Sequence, residues 1–201
     1  MSPRTKEQNE EIRSARIRQI MAAAADVYLE KGMAFEMRDV ALKAGVGYGT
    51  AYHYYPNKHR LFRDMLGQAL ERAASLTDSV MQLQAPPHRR MRELGRRLLK
   101  LWNADPAVFI LYRMASEKFH QLPYEDAAQL GKAFQSALYE PLEDALRSEL
   151  DAEEAERTAN VWLGALIGCA NLWLYHGRSH IDADDWINRL YAGFGNEGER
   201  R

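Results

Sequence analysis

A stretch of fifteen residues near the amino end carries side chains that suit contact with nucleic acid. It reads AGVGYGTAYHYYPNK over residues 44–58. Hydroxyl groups bond phosphate oxygens, aromatic rings pack on sugars and thymine methyl groups, and a lysine pairs with phosphate. Glycines at positions 47 and 49 leave little side chain in the way, so the backbone N–H groups there can approach a phosphate closely. The side chains expected on the outward and flanking sides are Tyr48, Thr50, Tyr52, His53 and Tyr54.

Two short helices must position these groups. The segment 36–44 has apolar residues at helical spacing, and Gly45 is free to take the turn that follows it. The next helix is predicted from residue 47 or 48 to just before Pro56, because the residue preceding a proline avoids helical geometry. Two helices hinged at a glycine favour insertion of the second helix into the DNA major groove. The residues expected to face inward are Val46, Ala51 and Tyr55.

The same stretch resembles the DNA-reading end of the family of regulators named after the tetracycline repressor. The family pattern runs Ala-Gly-Val, a small residue, any residue, Gly-Thr, an apolar residue, Tyr-His-Tyr, an aromatic residue, Pro, Ser or Asn, and Lys. It ends in Leu-Phe, here Leu61 and Phe62, and MRDVA at 37–41 resembles the opening of the family's second helix. The resemblance implies that DNA is contacted by Arg38, Gly47, Tyr48, Gly49, Thr50, Tyr52, His53, Tyr54 and Lys58.

Three departures from the family pattern concern the DNA-reading end. Glu36 and Met37 replace the hydroxyl residues that are usual before the arginine, which predicts the loss of a helix cap and of a phosphate contact. Tyr48 stands where many members carry lysine, and Gly47 stands where serine is common. The bases that are read are therefore left open.

Helical periodicity runs through almost the whole chain, and nine helices are expected. The first follows a frayed segment of residues 1–10 and ends at Gly32; Asn57 caps the fourth, a long one. Asp105 and Pro106 open the sixth, which ends before Pro123. The others are expected at 36–44, at 48–55, after the break at 85–87, at 124–150 with a kink or split near Pro141, at 153–176 and at 182–194.

The sequence thus predicts an all-α fold. An N-terminal helix-turn-helix domain at 10–57 is joined by a long helix to a helical domain for ligand binding and dimerisation at 58–201. On the strength of the resemblance, an effector pocket is expected among Trp102, Phe109, Tyr112, Arg113, Phe134 and Leu138. The apolar eighth and ninth helices favour a four-helix dimer interface that includes Trp162, Leu166, Ala170, Trp173, Trp186 and Leu190. The alternative is that the eighth helix is a fully buried central helix within one subunit.

Composition and charge distribution favour a cytoplasmic protein that contacts DNA at one end. Residues 1–62 hold ten Lys and Arg against seven Asp and Glu, a net charge of +3, while residues 63–201 hold seventeen against twenty-one, a net charge of −4. Positive charge at one end is expected if only that end meets phosphates. The single Cys169 excludes an internal disulfide framework, and apolar runs are too short for a bilayer, so a cytoplasmic protein is expected.

Other chemistry has weaker support. Glu117 and His120 have the spacing of a di-iron motif, but the chain holds one copy where two are required. His176 and His180 lie four apart near aspartates, and a helix end between them argues against zinc. Cys169 is flanked by small residues and reads as a buried apolar position. We therefore expect no metal, no cofactor and no catalysis; a helical metal-dependent enzyme and an architectural DNA-binding protein without an effector remain the alternatives.

The function expected from these patterns is sequence-specific transcriptional regulation. The resemblance implies a homodimer whose recognition helices read paired half-sites about 34 Å apart. It also implies repression that is relieved when a small, mostly apolar effector binds the C-terminal bundle. Activation or co-repression by the effector is compatible with the same residues.

Overall fold

A computed structural model describes residues 6–175 and 182–194, and every regular element in those ranges is helical. A 3-10 turn at Gly32–Ala34 follows the first helix, and a wider, π-type turn at Gln135–Tyr139 joins the seventh helix to the eighth. The helices are α1 Lys6–Lys31, α2 Met37–Lys43, α3 Tyr48–Tyr54, α4 Lys58–Met81, α5 Pro87–Ala104, α6 Pro106–Ser116, α7 Tyr124–Phe134, α8 Glu140–Leu146, α9 Ala152–Tyr175 and α10 Ala183–Phe194. The predicted all-α fold is confirmed.

Two of the predicted helix starts are made by side-chain caps. The Arg60 N–H donates to Oδ1 of Asn57 over 2.9 Å, which caps α4 as expected. The Ala107 N–H donates to Oδ1 of Asp105 over 3.2 Å, and Pro106 occupies the first turn of α6, where its missing N–H costs nothing. Short polar side chains before an apolar run were therefore reliable signals of helix starts.

Two predicted boundaries are wrong, and the split expected near Pro141 is confirmed. The helix α1 begins at Lys6, so residues 6–10 are not frayed. The helix α6 ends at Ser116, because Lys118 and Phe119 both adopt the left-handed conformation, each with φ of 53°. The split in the seventh predicted helix comes just before Pro141. A proline lacks the N–H for the helical ladder and its ring crowds the carbonyl one turn earlier, and the π-type turn falls at that place.

The chain divides into two compact units, Met1–Gln68 and Ala69–Arg201. In the first unit, buried side chains of α1, α2 and α4 enclose a small core in which the ring of Phe62 lies 4.7 Å from that of Tyr28 and 6.1 Å from that of Phe35. In this unit α2 packs on α1, and α3 packs on α2. The domain limits 10–57 and 58–201 stay a prediction, since compactness does not show that a unit folds or binds alone.

An aromatic cluster forms the centre of the second unit. The ring of Trp102 lies 5.5 Å from that of Phe109 and 5.2 Å from that of Tyr112, which in turn lies 5.2 Å from that of Phe134. The four rings come from α5, α6 and α7 and are buried, so they stabilise the packing of these helices. None of the helices in the described ranges is long and apolar enough to cross a bilayer.

Candidate functional site

The helix α3 presents one face to its own unit and the other to solvent. Ala51 and Tyr55 are buried and Val46 is half-buried, so the predicted inward side is confirmed. Burial raises the pKa of the Tyr55 phenol to about 12. Tyr54 is half-buried on the flank, where the ring of His53 meets it edge-on at 5.4 Å. The exposed residues of this segment are Gly47, Tyr48, Gly49, Thr50, Tyr52 and His53.

Tyr48 and Tyr52 form a pair on the exposed face of α3. Their ring centroids lie 4.6 Å apart, and the Tyr48 hydroxyl donates to the Tyr52 hydroxyl over 3.1 Å. This hydrogen bond, followed by partial burial and nearby negative charge, raises the pKa of Tyr52. Both side chains nevertheless remain open to solvent, 56% for Tyr48 and 39% for Tyr52. Two aromatic rings held together in this way make a broad surface for sugars and thymine methyl groups.

The turn between α2 and α3 is held by α1. Gly45 has φ of +62°, a conformation that favours glycine. Beside it, the Gln19 side chain donates to the Ala44 carbonyl over 2.6 Å. Sequence reasoning missed Gln19, because a polar residue in a long helix gives no sign that it meets a turn 25 positions away.

The beginning of α2 is capped, contrary to the sequence expectation. The carboxylate of Asp39 accepts the Glu36 N–H over 2.9 Å as part of a capping box. Lys31 lies 2.9 Å from the other oxygen of Asp39, and the two contacts lower the pKa of that carboxyl, with the Lys31 contact as the larger cause. Arg38 extends into solvent, with its Nε 3.0 Å from Oε2 of Glu36. The carboxylate of Asp39 thus makes up for the hydroxyl residue that is missing at the start of α2.

Lys58, expected to contact phosphate, also has a role inside the first unit. Its ammonium donates to the carbonyl of Met33 over 2.7 Å and to that of Phe35 over 3.2 Å. It also lies 5.5 Å from the centre of the Phe35 ring. The side chain is part-buried and closes the segment between α1 and α2. Its contact with DNA stays a prediction.

The second unit contains a cavity of about 810 Å³ bounded by α6, α7, the π-type turn, α8 and α9. Two of the six predicted pocket residues, Tyr112 and Phe134, line it. Trp102, Phe109 and Leu138 are buried, and neither they nor the half-buried Arg113 belong to the lining. The lining residues that sequence reasoning missed include Lys118, Phe119, Gln135, Tyr139, Arg147, Asn160, Leu163 and Ile167.

Irregular backbone borders this cavity at two places. The left-handed residues Lys118 and Phe119 line it, and so do Gln135 and Tyr139 of the π-type turn. Such backbone is costly in non-glycine residues and is enriched at ligand sites. The Tyr139 hydroxyl donates to Oδ1 of Asn160 over 2.7 Å, which ties the turn to α9. Neither feature has a sequence signature that could have located the cavity.

The predicted dimer residues fall on two different faces. Trp162, Leu166, Ala170 and Trp173 are buried within the single chain, so these four side chains have almost no surface left for a partner. Trp186 and Leu190 of α10 are half-buried. The solvent-facing side of α9 carries Val161, 54% exposed, and Leu172, 63% exposed, with Gly164 and Gly168 between them. A Cβ added at either glycine meets no atom within 4 Å.

The candidate metal and nucleophile positions give no assembled centre. Nδ1 of His120 lies 3.0 Å from the carbonyl of Glu117, and no group of three or more possible ligands occurs among the residues that the structure describes. His176 and His180 lie outside those residues. Cys169 is half-buried, and burial raises the pKa of its thiol, which disfavours the reactive thiolate.

Comparison with known proteins agrees with this geometry. Residues 20–65 match the model of the bacterial regulatory proteins of the tetR family. The HTH-type transcriptional repressor KstR of Mycolicibacterium smegmatis is 26% identical over 163 residues, which cover 80% of this chain and 78% of KstR.

Two solved structures have the same fold. A TetR-family regulator from Bordetella parapertussis has a TM-score of 0.73 at 19% identity, covering 90% of this chain and 94% of that one. AibR, solved in complex with isovaleryl coenzyme A and operator DNA, has a TM-score of 0.69 at 18% identity, covering 89% of this chain and 97% of AibR. The matched family model includes α2, α3 and the start of α4. The chain is thus similar to bacterial regulators of the tetR family at residues 20–65, and to a TetR-type transcriptional repressor over most of its length.

Proposed function

We propose that the protein is a cytoplasmic repressor that binds a paired operator as a homodimer and releases it when a small molecule enters the cavity of the second unit. The observation that carries the DNA contact is the exposed face of α3. Tyr48, Thr50, Tyr52 and His53 are accessible there, while Ala51 and Tyr55 anchor the opposite face. A short helix held rigidly on one side and open on the other suits the major groove.

Within this interface the residues have different tasks. The Tyr48 and Tyr52 rings offer apolar area to sugars and thymine methyl groups, and the hydroxyls of Thr50 and Tyr52 meet phosphates or base edges. Gly47 and Gly49 allow a close approach of the backbone. His53 and Tyr54 contact the backbone of the duplex on the flank. Lys58 supplies positive charge from a side chain that its own unit already holds, and Arg38 offers hydrogen-bond donors beside the groove.

The proposed dimer uses the exposed side of α9 together with α10. Val161 and Leu172 project from this side, and the glycines between them permit close approach of a second helix. Trp186 and Leu190, half-buried in the single chain, are expected to lose their remaining exposure in the dimer. Two copies would then present two recognition helices to half-sites about 34 Å apart.

The cavity lining indicates the chemistry of the effector. Aromatic and aliphatic side chains such as Phe134, Leu163 and Ile167 favour an apolar body. Of the two cations in the lining, Arg147 is paired with Glu143 at 3.3 Å, so Lys118 is the one that we expect to meet a negative group of the effector. Thioesters of coenzyme A have this combination, and isovaleryl coenzyme A is present in the solved complex of AibR. We therefore propose an acyl compound with an anionic end as the effector class.

Release of DNA would follow from a shared two-state equilibrium. The helix α4 contains residues of both compact units, so a ligand that prefers one conformation of the second unit can bias the start of α4. The expected coupling is about 1–3 kcal/mol, or roughly 5- to 150-fold in operator affinity.

A titration of operator binding with acyl coenzyme A compounds tests the proposal. Isovaleryl and longer acyl thioesters are added to the protein–operator complex, and dissociation is followed by fluorescence anisotropy. The proposal predicts that at least one thioester lowers operator affinity and that Lys118→Gln weakens this response. Lys132→Gln removes the same charge from the exposed side of α7, outside the cavity lining, and should leave the response unchanged. Binding of a thioester without any change in operator affinity would refute the coupling.

A further inference from the structure

The ion pair between Glu36 and Arg38 lies at the DNA-binding end, where the family pattern has hydroxyl residues instead of an acid. Nε of Arg38 lies 3.0 Å from Oε2 of Glu36, and both side chains are largely exposed, 60% for Glu36 and 72% for Arg38. An exposed pair of this kind contributes little to stability. In the capping box of α2 the Asp39 carboxylate accepts the Glu36 N–H, and the Glu36 side chain faces the Asp39 N–H. A glutamine at position 36 keeps an acceptor oxygen for this second contact.

The geometry of the contact determines which part of Arg38 is left for DNA. A guanidinium has five N–H donors in a planar fork, and a carboxylate at Nε occupies one side of that fork. The edge formed by the two Nη groups stays available, and its paired donors match the O6 and N7 acceptors of guanine. A carboxylate at Nε also limits rotation of the long side chain, so less rotamer entropy is lost when the base is bound.

The charge of the Glu36–Arg38 pair favours contact with a base over contact with a phosphate. A lone arginine attracts phosphate through its full positive charge, but here the neighbouring carboxylate cancels most of that charge. A second negative group near a phosphate is repulsive. The edge of guanine is neutral, so its two acceptors still gain hydrogen bonds from the Nη groups without that penalty. The pair is therefore better suited to a base than to the DNA backbone.

The negative charge of Glu36 also acts on the recognition helix. It contributes to the raised pKa of Tyr52, whose ring belongs to the exposed pair on α3.

We propose that Glu36 is a specificity-determining positioning residue, which holds the guanidinium of Arg38 so that its Nη edge reads a guanine in the major groove. The proposal rests on the DNA-binding function of this unit. Glu36 itself touches no base; it acts through Arg38.

The test compares preference at single base pairs with overall affinity. An operator is first selected with the wild-type protein from randomised duplexes at a fixed salt concentration, and every base pair is then substituted in turn. Arg38→Gln should reduce discrimination about tenfold at one G·C pair in each half-site. Glu36→Gln should reduce discrimination at the same pair, by about threefold or more, while affinity for unrelated DNA stays equal or rises because a negative charge is lost.

Glu30→Gln is the matched control. Glu30 is a carboxylate of the same unit whose partner is Lys43 at 2.8 Å, so its substitution changes the net charge equally without touching Arg38. It should leave the base preference intact. A uniform change of affinity on all duplexes with Glu36→Gln would overturn the proposal, as would a loss of preference at a pair different from the one that Arg38 reads. Failure of the wild-type protein to select any operator would instead contradict the DNA-binding function itself.

Discussion

The ammonium of Lys58 lies 2.7 Å from the carbonyl oxygen of Met33, so the first residue of α4 closes the turn that follows α1. The same ammonium reaches the carbonyl of Phe35 and the face of its ring. These carbonyls lie in the 3-10 turn and just after it, outside the regular helices. Lys58 therefore links the start of α4 to the 3-10 turn and to the residue that follows this turn. This structural role is independent of any contact with phosphate.

The first prediction concerns Lys58→Ala. The variant loses charge-assisted hydrogen bonds to two carbonyl groups, so we expect the free energy of unfolding to fall by about 1–3 kcal/mol. Affinity should fall by a similar factor on specific and unrelated duplexes, because a phosphate contact carries no sequence information. Chemical denaturation and DNA titration measure the two effects. Unchanged stability would show that the contacts to Met33 and Phe35 do not matter in solution.

The second prediction concerns a glycine at a helix crossing. A Cβ at Gly95 of α5 would lie 2.7 Å from Cδ1 of Ile187 and 3.2 Å from Cζ2 of Trp162. Gly95→Ala should therefore destabilise the second unit by about 1 kcal/mol or more, since overpacking outweighs the gain in helix propensity. The control is Gly131→Ala in α7, where the new Cβ has its nearest neighbour at 3.9 Å.

The control Gly131→Ala should instead raise the free energy of unfolding by about 0.5–1 kcal/mol. Tryptophan fluorescence during urea unfolding reports both variants, because all four tryptophans lie after residue 68. An equal gain of stability in the two variants would contradict the close crossing at Gly95.

The third prediction concerns acid. Hydrogen bonds from Arg96, opposed by partial burial and joined by a bond from Arg97, lower the pKa of Glu93 to about 2 from 4.5. Because the folded-state pKa is below the unfolded-state value, the carboxylate contributes fully above pH 4.5, and the contribution is lost as the pH falls toward 2. The pair is partly exposed, so we expect a contribution of about 1 kcal/mol.

Glu93→Gln should thus be less stable than the wild type at pH 7, and this difference should be clearly smaller at pH 3, where part of the contribution is already lost. Urea unfolding at the two pH values measures this difference. Glu125→Gln, an exposed carboxylate at the start of α7, serves as the control for a general loss of negative charge. A difference between Glu93→Gln and the wild type that stays constant with pH would contradict the assignment.

The fourth prediction concerns the proposed dimer. Val161→Glu combined with Leu172→Glu places two charges on the exposed side of α9, and burial of unpaired charge is expensive. We expect a monomer in sedimentation equilibrium and a large loss of operator affinity. Leu83→Glu changes another exposed leucine, outside α9 and α10, and should remain dimeric. A dimer that survives the double substitution must use a different surface.

The sequence was informative where a local rule decides the structure. Asn57 and Asp105 cap helices as their side chains require, and Gly45 takes the left-handed turn before α3. The outward and inward sides of α3 could also be predicted. A helix of only two turns has one apolar side, and that side is the one buried in the protein.

Longer-range features could not be predicted in the same way. The helix α9 carries apolar residues on almost every side, so periodicity could not tell the face buried against its own chain, with Trp162 and Leu166, from the face that carries Val161 and Leu172. The cavity depends on left-handed Lys118 and Phe119, and no local preference of these residues predicts that conformation. Most of the residues predicted to form the pocket, such as Trp102 and Phe109, consequently lie in the packed core and do not line the cavity.

The most direct test of the account is the effect of Tyr48→Ala on an operator selected from randomised DNA. The account predicts that the wild-type protein enriches duplexes with two half-sites about 34 Å apart and that Tyr48→Ala alters the preferred bases within each half-site. Tyr124→Ala, which removes a more exposed tyrosine from α7, should leave the selected sequence unchanged. Identical selected sequences for Tyr48→Ala and the wild type, or no enrichment with the wild type, would contradict the placement of the exposed face of α3 in the DNA groove.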